Sequence, residues 1–186
     1  MGRIVVTEFI TLDGVSEDPG GEGFERGGWA FQLERGEDGD RFKLDETLAS
    51  DALLLGRTTY EGFAKAWPSR EGEFADLFNG LPKYVVSSTL SDPEWTNTTV
   101  IGLDDLAGLK DRHERDIVVH GSITLAQELV RRGLVDELRL MVYPMVLGAG
   151  KRLFGGTDAQ VKLELAESRP VGPDGVVILT YRPPAG

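Results

Sequence analysis

The sequence predicts an α/β fold, one sheet with an antiparallel edge, carried in a single domain spanning residues 1–186. Three observations predict it. Strand-like and helix-like segments alternate through the first 132 residues, the order that builds parallel sheets covered by helices. The rest of the chain is almost all strand-like, which favours antiparallel neighbours at one edge. Finally, 186 residues with 40% hydrophobic and 27% charged side chains match ordinary globular usage and exclude disordered or collagen-like chains. A domain of this size buries roughly 70% of the surface its unfolded chain exposes.

Taken in order, Arg3 to Ile10 (RIVVTEFI) is rich in β-branched residues and reads as a mostly buried strand. Residues 13–39 are glycine-rich and charged, too long for an ordinary connection, and loops of that length are usually lids or binding loops. From Asp40 to Asp51 a helix is expected, with Phe42, Leu44, Leu48 and Ala49 on its apolar face. Ala52 to Leu55 is a short buried strand ending in Gly56. Thr58 to Trp67 reads as a helix with a Thr58/Glu61 capping box, closed by Pro68, and Glu73 to Asn79 as a second short helix. Strands follow at 83–88 and 98–101, a weak helix at 104–112, and a buried strand at Asp116 to His120. Ile123 to Arg132 is helical, with Gly133 as its C-terminal cap. Strands at 137–143, 161–168 and 176–182 complete the chain, with a glycine-rich bend at 148–156.

Composition narrows the function. With 20 Lys and Arg against 31 Asp and Glu, the formal charge is −11, which disfavours nucleic acid and anionic membrane surfaces as partners. A small phosphorylated ligand remains compatible, held by local cations and backbone dipoles. The absence of cysteine excludes a disulfide framework, a thiolate zinc site, an iron–sulfur cluster and a cysteine nucleophile. Two histidines, His113 and His120, and no cluster of metal-ligand spacing argue that no metal is bound. The N-terminus lacks the apolar core of a signal peptide. The longest apolar stretch, 141–150, is too short to span a bilayer and contains Pro144. A soluble cytoplasmic protein is expected.

Ligands of open α/β sheets bind at the carboxyl ends of the strands, which singles out two junctions, Gly56-Arg57-Thr58 and His120-Gly121-Ser122-Ile123-Thr124. Glycine lets the backbone turn sharply, and the unpaired N–H groups of the new helix favour a phosphate. One such junction is only what any α/β protein needs; two that face one ligand bring the phosphate reading level with it. Ser87 and Ser88 end a third strand with hydroxyls suited to a ribose or its phosphate. Gly148-Ala149-Gly150-Lys151-Arg152 lacks the spacing of a phosphate loop and reads as a glycine bend with a basic pair. There is no G-x-S-x-G elbow for a serine nucleophile. His120 either lines a site or is a satisfied core histidine. Asp13 and Asp40 flank the long loop, either pointing into a cleft or capping the surface.

In this order, the segments Thr11-Leu12-Asp13-Gly14, Asp51 to Glu61 (DALLLGRTTYE), Lys83 to Thr89 (KYVVSST), Val118-Val119-His120-Gly121-Ser122, Gly133 to Leu138 (GLVDEL) and Pro144 to Gly150 (PMVLGAG) resemble the dihydrofolate reductase-like superfamily. The closest resemblance is to the C-terminal reductase domain of the bifunctional riboflavin-biosynthesis deaminase/reductase, over almost the whole chain. The resemblance implies a mostly parallel sheet of about eight strands that binds NADPH. It implies Gly56, Arg57 and Thr58 at the first cofactor turn, Ser87 and Ser88 near the adenosine 2′-phosphate, and Gly121, Ser122 and Thr124 at the pyrophosphate. Residues 13–30 correspond to a mobile loop over the nicotinamide, with Trp29 filling that lid or closing on a planar substrate. Asp40 lies the distance before Gly56 at which folate reductases carry their pterin-anchoring acid. With no cysteine, no zinc deaminase domain is expected. The expected function is an NADPH-dependent reductase of a small heterocyclic substrate, resembling 5-amino-6-(5-phosphoribosylamino)uracil reductase. Alternatives are dihydrofolate reductase and a non-catalytic nucleotide- or pterin-binding module. Asp40 or Asp13 is expected to protonate the substrate. Apolar alternation at Leu138, Leu140, Val142, Val176 and Ile178, and the dimers common among such relatives, suggest a twofold homodimer.

Overall fold

A computed structural model describes residues 1–155 and 160–184; Gly156, the last residue of the expected glycine bend, lies outside them. Among the described residues there are eight strands, all but the charged β7 formed by aliphatic and β-branched runs: β1 (Arg3–Thr11), β2 (Ser50–Gly56), β3 (Lys83–Val86), β4 (Thr98–Ile101), β5 (Asp116–His120), β6 (Glu137–Tyr143), β7 (Glu164–Val171) and β8 (Val176–Arg182). They make one sheet in the order β4-β3-β2-β5-β1-β6-β8-β7. The first six are mutually parallel, and β8 runs antiparallel to β6 and β7. The expected sheet, mostly parallel with an antiparallel C-terminal edge, is the observed one. Five helices flank it: α1 (Gly36–Leu48), α2 (Arg57–Ala66), α3 (Glu73–Gly80), α4 (Leu106–Leu109) and α5 (Ile123–Arg131). Among the described residues no helix is long and apolar enough to cross a membrane.

Strand alternation divides the core. Ile4, Val6 and Ile10 of β1 join Leu54, Val119, Leu138 and Leu140 beneath Leu125, Ala126 and Leu129 of α5. The other face carries two apolar clusters. One holds Leu53, Leu55, Tyr60, Phe78 and Trp95; the other holds Trp29, Met141, Tyr143 and Ile178. Between them runs a polar row, because Thr7 of β1 is in register with both His120 of β5 and Arg139 of β6.

That row explains the first correction. α1 begins at Gly36, so Asp40 lies inside its second turn rather than at its start. The helix does not bury the expected Phe42–Leu44–Leu48–Ala49 face: Leu48 is 41% exposed, while Gly39, Lys43, Glu46 and Thr47 are buried. Its polar side is turned to the sheet because the sheet there is polar. Glu46 sits between Lys43 and the Arg139 guanidinium, 3.6 Å away. Three smaller corrections follow. α2 starts at Arg57 without a side-chain cap, and Glu61 instead accepts a hydrogen bond from Arg57 Nε at 2.8 Å. β7 begins three residues later than expected, at Glu164. Of the five apolar residues expected to face a partner, Leu138, Leu140, Val176 and Ile178 are buried within the chain's own core and Val142 packs half-buried against it.

Candidate functional site

A cavity of about 1540 Å³ opens at the carboxyl ends of β1, β2 and β5. The starts of α2 and α5 form one wall, α1 another, and the long loop after β1 crosses the mouth. Single small-ligand pockets span roughly 300–1,000 Å³, so this one has room for two ligands side by side.

The α2/α5 wall is built by the two glycine turns. Gly121 and Ser122 both have positive φ, 57° and 61°, and a Cβ added at Gly121 would meet Thr59 Cγ2 at 3.2 Å. The turns lock together: Gly56 N–H donates to Ser122 Oγ at 2.9 Å, and Ser122 N–H to Thr59 Oγ1 at 2.8 Å. Neither helix has a side-chain cap, so first-turn N–H groups remain for an anion at this wall. Gly56, Arg57, Thr58, Gly121, Ser122 and Thr124 all line it. Ser87 and Ser88 do not; Ser87 Oγ accepts from the N–H groups of Thr89 and Leu90 at 3.2 and 3.0 Å. The Arg57 guanidinium reaches the same segment by donating to Thr89 Oγ1.

The loop over the mouth is organised by Asp18, which itself has φ 47°. Its carboxylate accepts the N–H groups of Glu22, Gly23 and Phe24. Partial burial pushes that carboxyl's pKa up, but the three N–H donors outweigh it and hold the pKa below its ordinary value. Trp29 anchors the loop instead of facing the cavity. Its ring is fully buried against Tyr143, centroids 5.4 Å apart, and its Nε1–H donates to Glu17 O at 2.8 Å. The aromatic side chain exposed at the cavity is Phe31, 77% accessible.

The two expected acids separate. Asp13 is absent from the lining. It accepts from Thr11 Oγ1 at 2.6 Å and from the N–H groups of Leu147 and Gly148 at 3.1 and 2.8 Å. The Thr11 hydroxyl foremost, with those N–H groups, holds its pKa at about 2. Asp40 does line the cavity, at the rim, 67% exposed and bound to Arg35 Nε at 2.7 Å. Lys151 of the glycine bend also lines it.

The floor holds His120, which lines the cavity rather than being a satisfied core histidine, and two residues that local patterning does not single out, Glu8 and Lys43; all three are buried. Lys43 Nζ donates to Thr7 Oγ1 at 3.0 Å and to Glu46 Oε1. Burial pulls the Lys43 pKa below its usual value, and Glu46 offsets part of that. The His120 pKa lies well below the usual histidine value through burial and the positive charges of Lys43 and Arg139. The imidazole is therefore neutral at pH 7. Burial raises the Glu8 pKa well above the carboxylate range, although Lys43 and the Gly121 N–H pull the other way. Among the described residues four buried side-chain atoms lack a hydrogen-bond partner. Three of them, Glu8 Oε1, Ser16 Oγ and His120 Nε2, belong to residues lining this cavity. Buried polar groups are normally satisfied, so their concentration here marks a place for a polar ligand.

The fold is dihydrofolate reductase-like. Dihydrofolate reductase from Enterococcus faecalis, complexed with NADP(H) and RAB-propyl, matches with a TM-score of 0.64 at 17% identity, covering 98% of this chain and 97% of that one. More narrowly, the chain belongs to the RibD C-terminal domain family, whose model matches residues 3–177. A putative riboflavin biosynthesis protein from Shewanella sp. PV-4 has the same fold, with a TM-score of 0.78 at 20% identity over 98% of this chain and 99% of that one. By sequence, the uncharacterized protein YyaP of Bacillus subtilis (strain 168) is 29% identical over 188 residues, 96% of this chain and 94% of YyaP. The family is of the riboflavin-pathway reductase type.

Proposed function

We propose that this protein is an NADPH-dependent reductase that transfers a hydride to a small heterocycle. The observation that carries the reading is the continuity of one cavity, from two uncapped helix starts beside Arg57 to a buried polar floor. The residues present fit the cofactor. A side chain at Gly121 would crowd the turn against Thr59, and the unpartnered Glu8 and Ser16 oxygens offer hydrogen bonds to a polar group lying deep in the cavity. NADPH, when bound, supplies the hydride from its nicotinamide ring. Gly121, Ser122 and Thr124 would hold the pyrophosphate. Arg57, with the Ser87–Thr89 segment it bonds, would hold the 2′-phosphate, and the Asp18-braced loop would exclude water.

Hydride addition to a C=N or C=O bond leaves electron density on the heteroatom, which must gain a proton. Burial raises the Glu8 pKa well above its ordinary value, which favours the protonated, donating form, so Glu8 is our choice of donor, directly or through one water. Asp40 at the rim, the choice from sequence, is the rival. The test is NADPH binding followed by NADPH oxidation with dihydrofolate, with 5-amino-6-(5-phosphoribosylamino)uracil, and with neither. Turnover of one substrate assigns the enzyme. Failure to bind NADPH would overturn the reading.

A further inference from the structure

One helix face runs along the cavity and changes character on the way. Thr59, Phe63, Ala66 and Trp67 all line the cavity, at the i, i+4, i+7 and i+8 spacing that puts residues on one side of a helix. The stripe starts at Thr59, which is locked to the Gly121–Ser122 turn, and ends about 12 Å away at Trp67. There α3 adds Phe74 and Phe78, with ring centroids 5.4 and 4.6 Å from that of Trp67. Phe78 also meets His120 of the floor edge-on at 5.3 Å, so the aromatic wall is continuous with the polar floor. Phe63, Trp67 and Phe74 are only half-buried. A cluster of rings left open inside a cleft marks a place for an apolar ligand group, and the hydride chemistry proposed above uses none of them.

We propose that this wall is the site of an aromatic arm on the substrate, so that the reductase takes a heterocycle bearing an aryl substituent in preference to one bearing a polyol or sugar phosphate. Rings stack offset or edge-on against such a wall. The hydroxyls of a sugar would lose water there and find no partner on Phe63, Ala66, Phe74 or Phe78. Charge argues against a phosphate. The loop across the mouth brings Glu22 and Glu25 to the cavity, and Glu22 Oε2 lies 2.7 Å from the place a Cβ on Gly62 would take, next to Phe63 in α2. Of the arginines in the lining, Arg35, Arg41 and Arg57 are each held by a carboxylate. Arg70 instead lies over the Trp67 ring, 4.4 Å from its centroid, where it covers one indole face and fixes the plane of the other. The inference deepens the reductase reading and rests on it for the heterocycle that carries the arm.

The test titrates three probes with one ring and different arms into the full chain, with and without NADPH. They are 5-amino-6-(benzylamino)uracil, 5-amino-6-(ribitylamino)uracil and the 5′-phosphate of the latter. The benzyl probe should bind roughly 10- to 100-fold more tightly than either of the others, the scale of burying one ring. Trp29 and Trp95 are buried, so Trp67 is the half-buried one of the three tryptophans, and its emission should change with the benzyl probe. Trp67→Ala and Phe74→Ala should each remove most of the preference, whereas Trp67→Phe should keep it and abolish the emission change. Circular dichroism checks the folding of each variant, and NADPH affinity should stay near wild type. Equal affinities in the wild type, no binding of the benzyl probe, or a preference that survives both alanine variants overturns the proposal. So does tightest binding of the phosphate probe; its loss in Arg70→Gln would then place an anion site at the outer end of the wall. NADPH binding without the arm preference overturns the arm site and spares the reductase. Arm preference without NADPH binding does the opposite.

Discussion

Asp13 is where sequence and structure part most testably. The sequence offers it as a proton donor, whereas the structure makes it a clamp between the end of β1 and the 144–150 bend. Its pKa falls from 3.8 to about 2. At about 1.4 kcal/mol per unit the full shift would stabilise the fold by roughly 2.5 kcal/mol. The carboxylate is only half-buried, and solvent screening reduces this to about 1 kcal/mol. Because the folded pKa is the lower one, this contribution is complete above pH ~4 and disappears as pH falls through about 2. Asp13→Asn turns an amide NH2 toward one of the two backbone donors and should cost about 1–1.5 kcal/mol. In a chain of this size that lowers Tm by roughly 2–6 °C. Urea unfolding at pH 7, 4 and 3 should show the gap between wild type and variant narrowing toward acid, with NADPH affinity and turnover near wild type. Unchanged stability with turnover down about 100-fold would refute the clamp and restore the donor role.

Other outcomes follow from the same geometry. Arg57→Ala should weaken NADPH binding roughly 10- to 100-fold and NADH far less; equal losses would move Arg57 to the pyrophosphate. Glu8→Gln should keep the fold and NADPH affinity but slow turnover about 100-fold, while Asp40→Asn stays near wild type. The reverse pattern would give the proton to Asp40. Since Glu8 donates only while protonated, wild-type turnover should decline as pH rises through its raised pKa, and Glu8→Gln should lack that limb. A homodimer is still expected, now through the edge strand β7, whose residues are exposed save Val171. Light scattering that gives a monomer at micromolar concentration would remove it.

What the sequence determined by itself is whatever local chemistry dictates. The β-branched runs had to be strands, and Gly56 and Gly121 had to be turns at strand ends. That they lie side by side was decided by the sheet, in which β2 and β5 are parallel neighbours. Tertiary structure alone decided the floor. Glu8 sits inside an apolar run and reads as one more strand residue. Lys43 and Glu46 sit on the polar side of an amphipathic pattern that ordinarily faces water. Only the register that aligns Thr7 with His120 and Arg139 makes the sheet polar beneath α1, and only then does turning that helix's charged side inward bring opposite charges together instead of stranding them. Periodicity records which face of a helix is apolar. Which face is buried depends on what lies opposite, and Thr7, His120 and Arg139, 36 to 96 positions from Lys43 in the chain, supplied it.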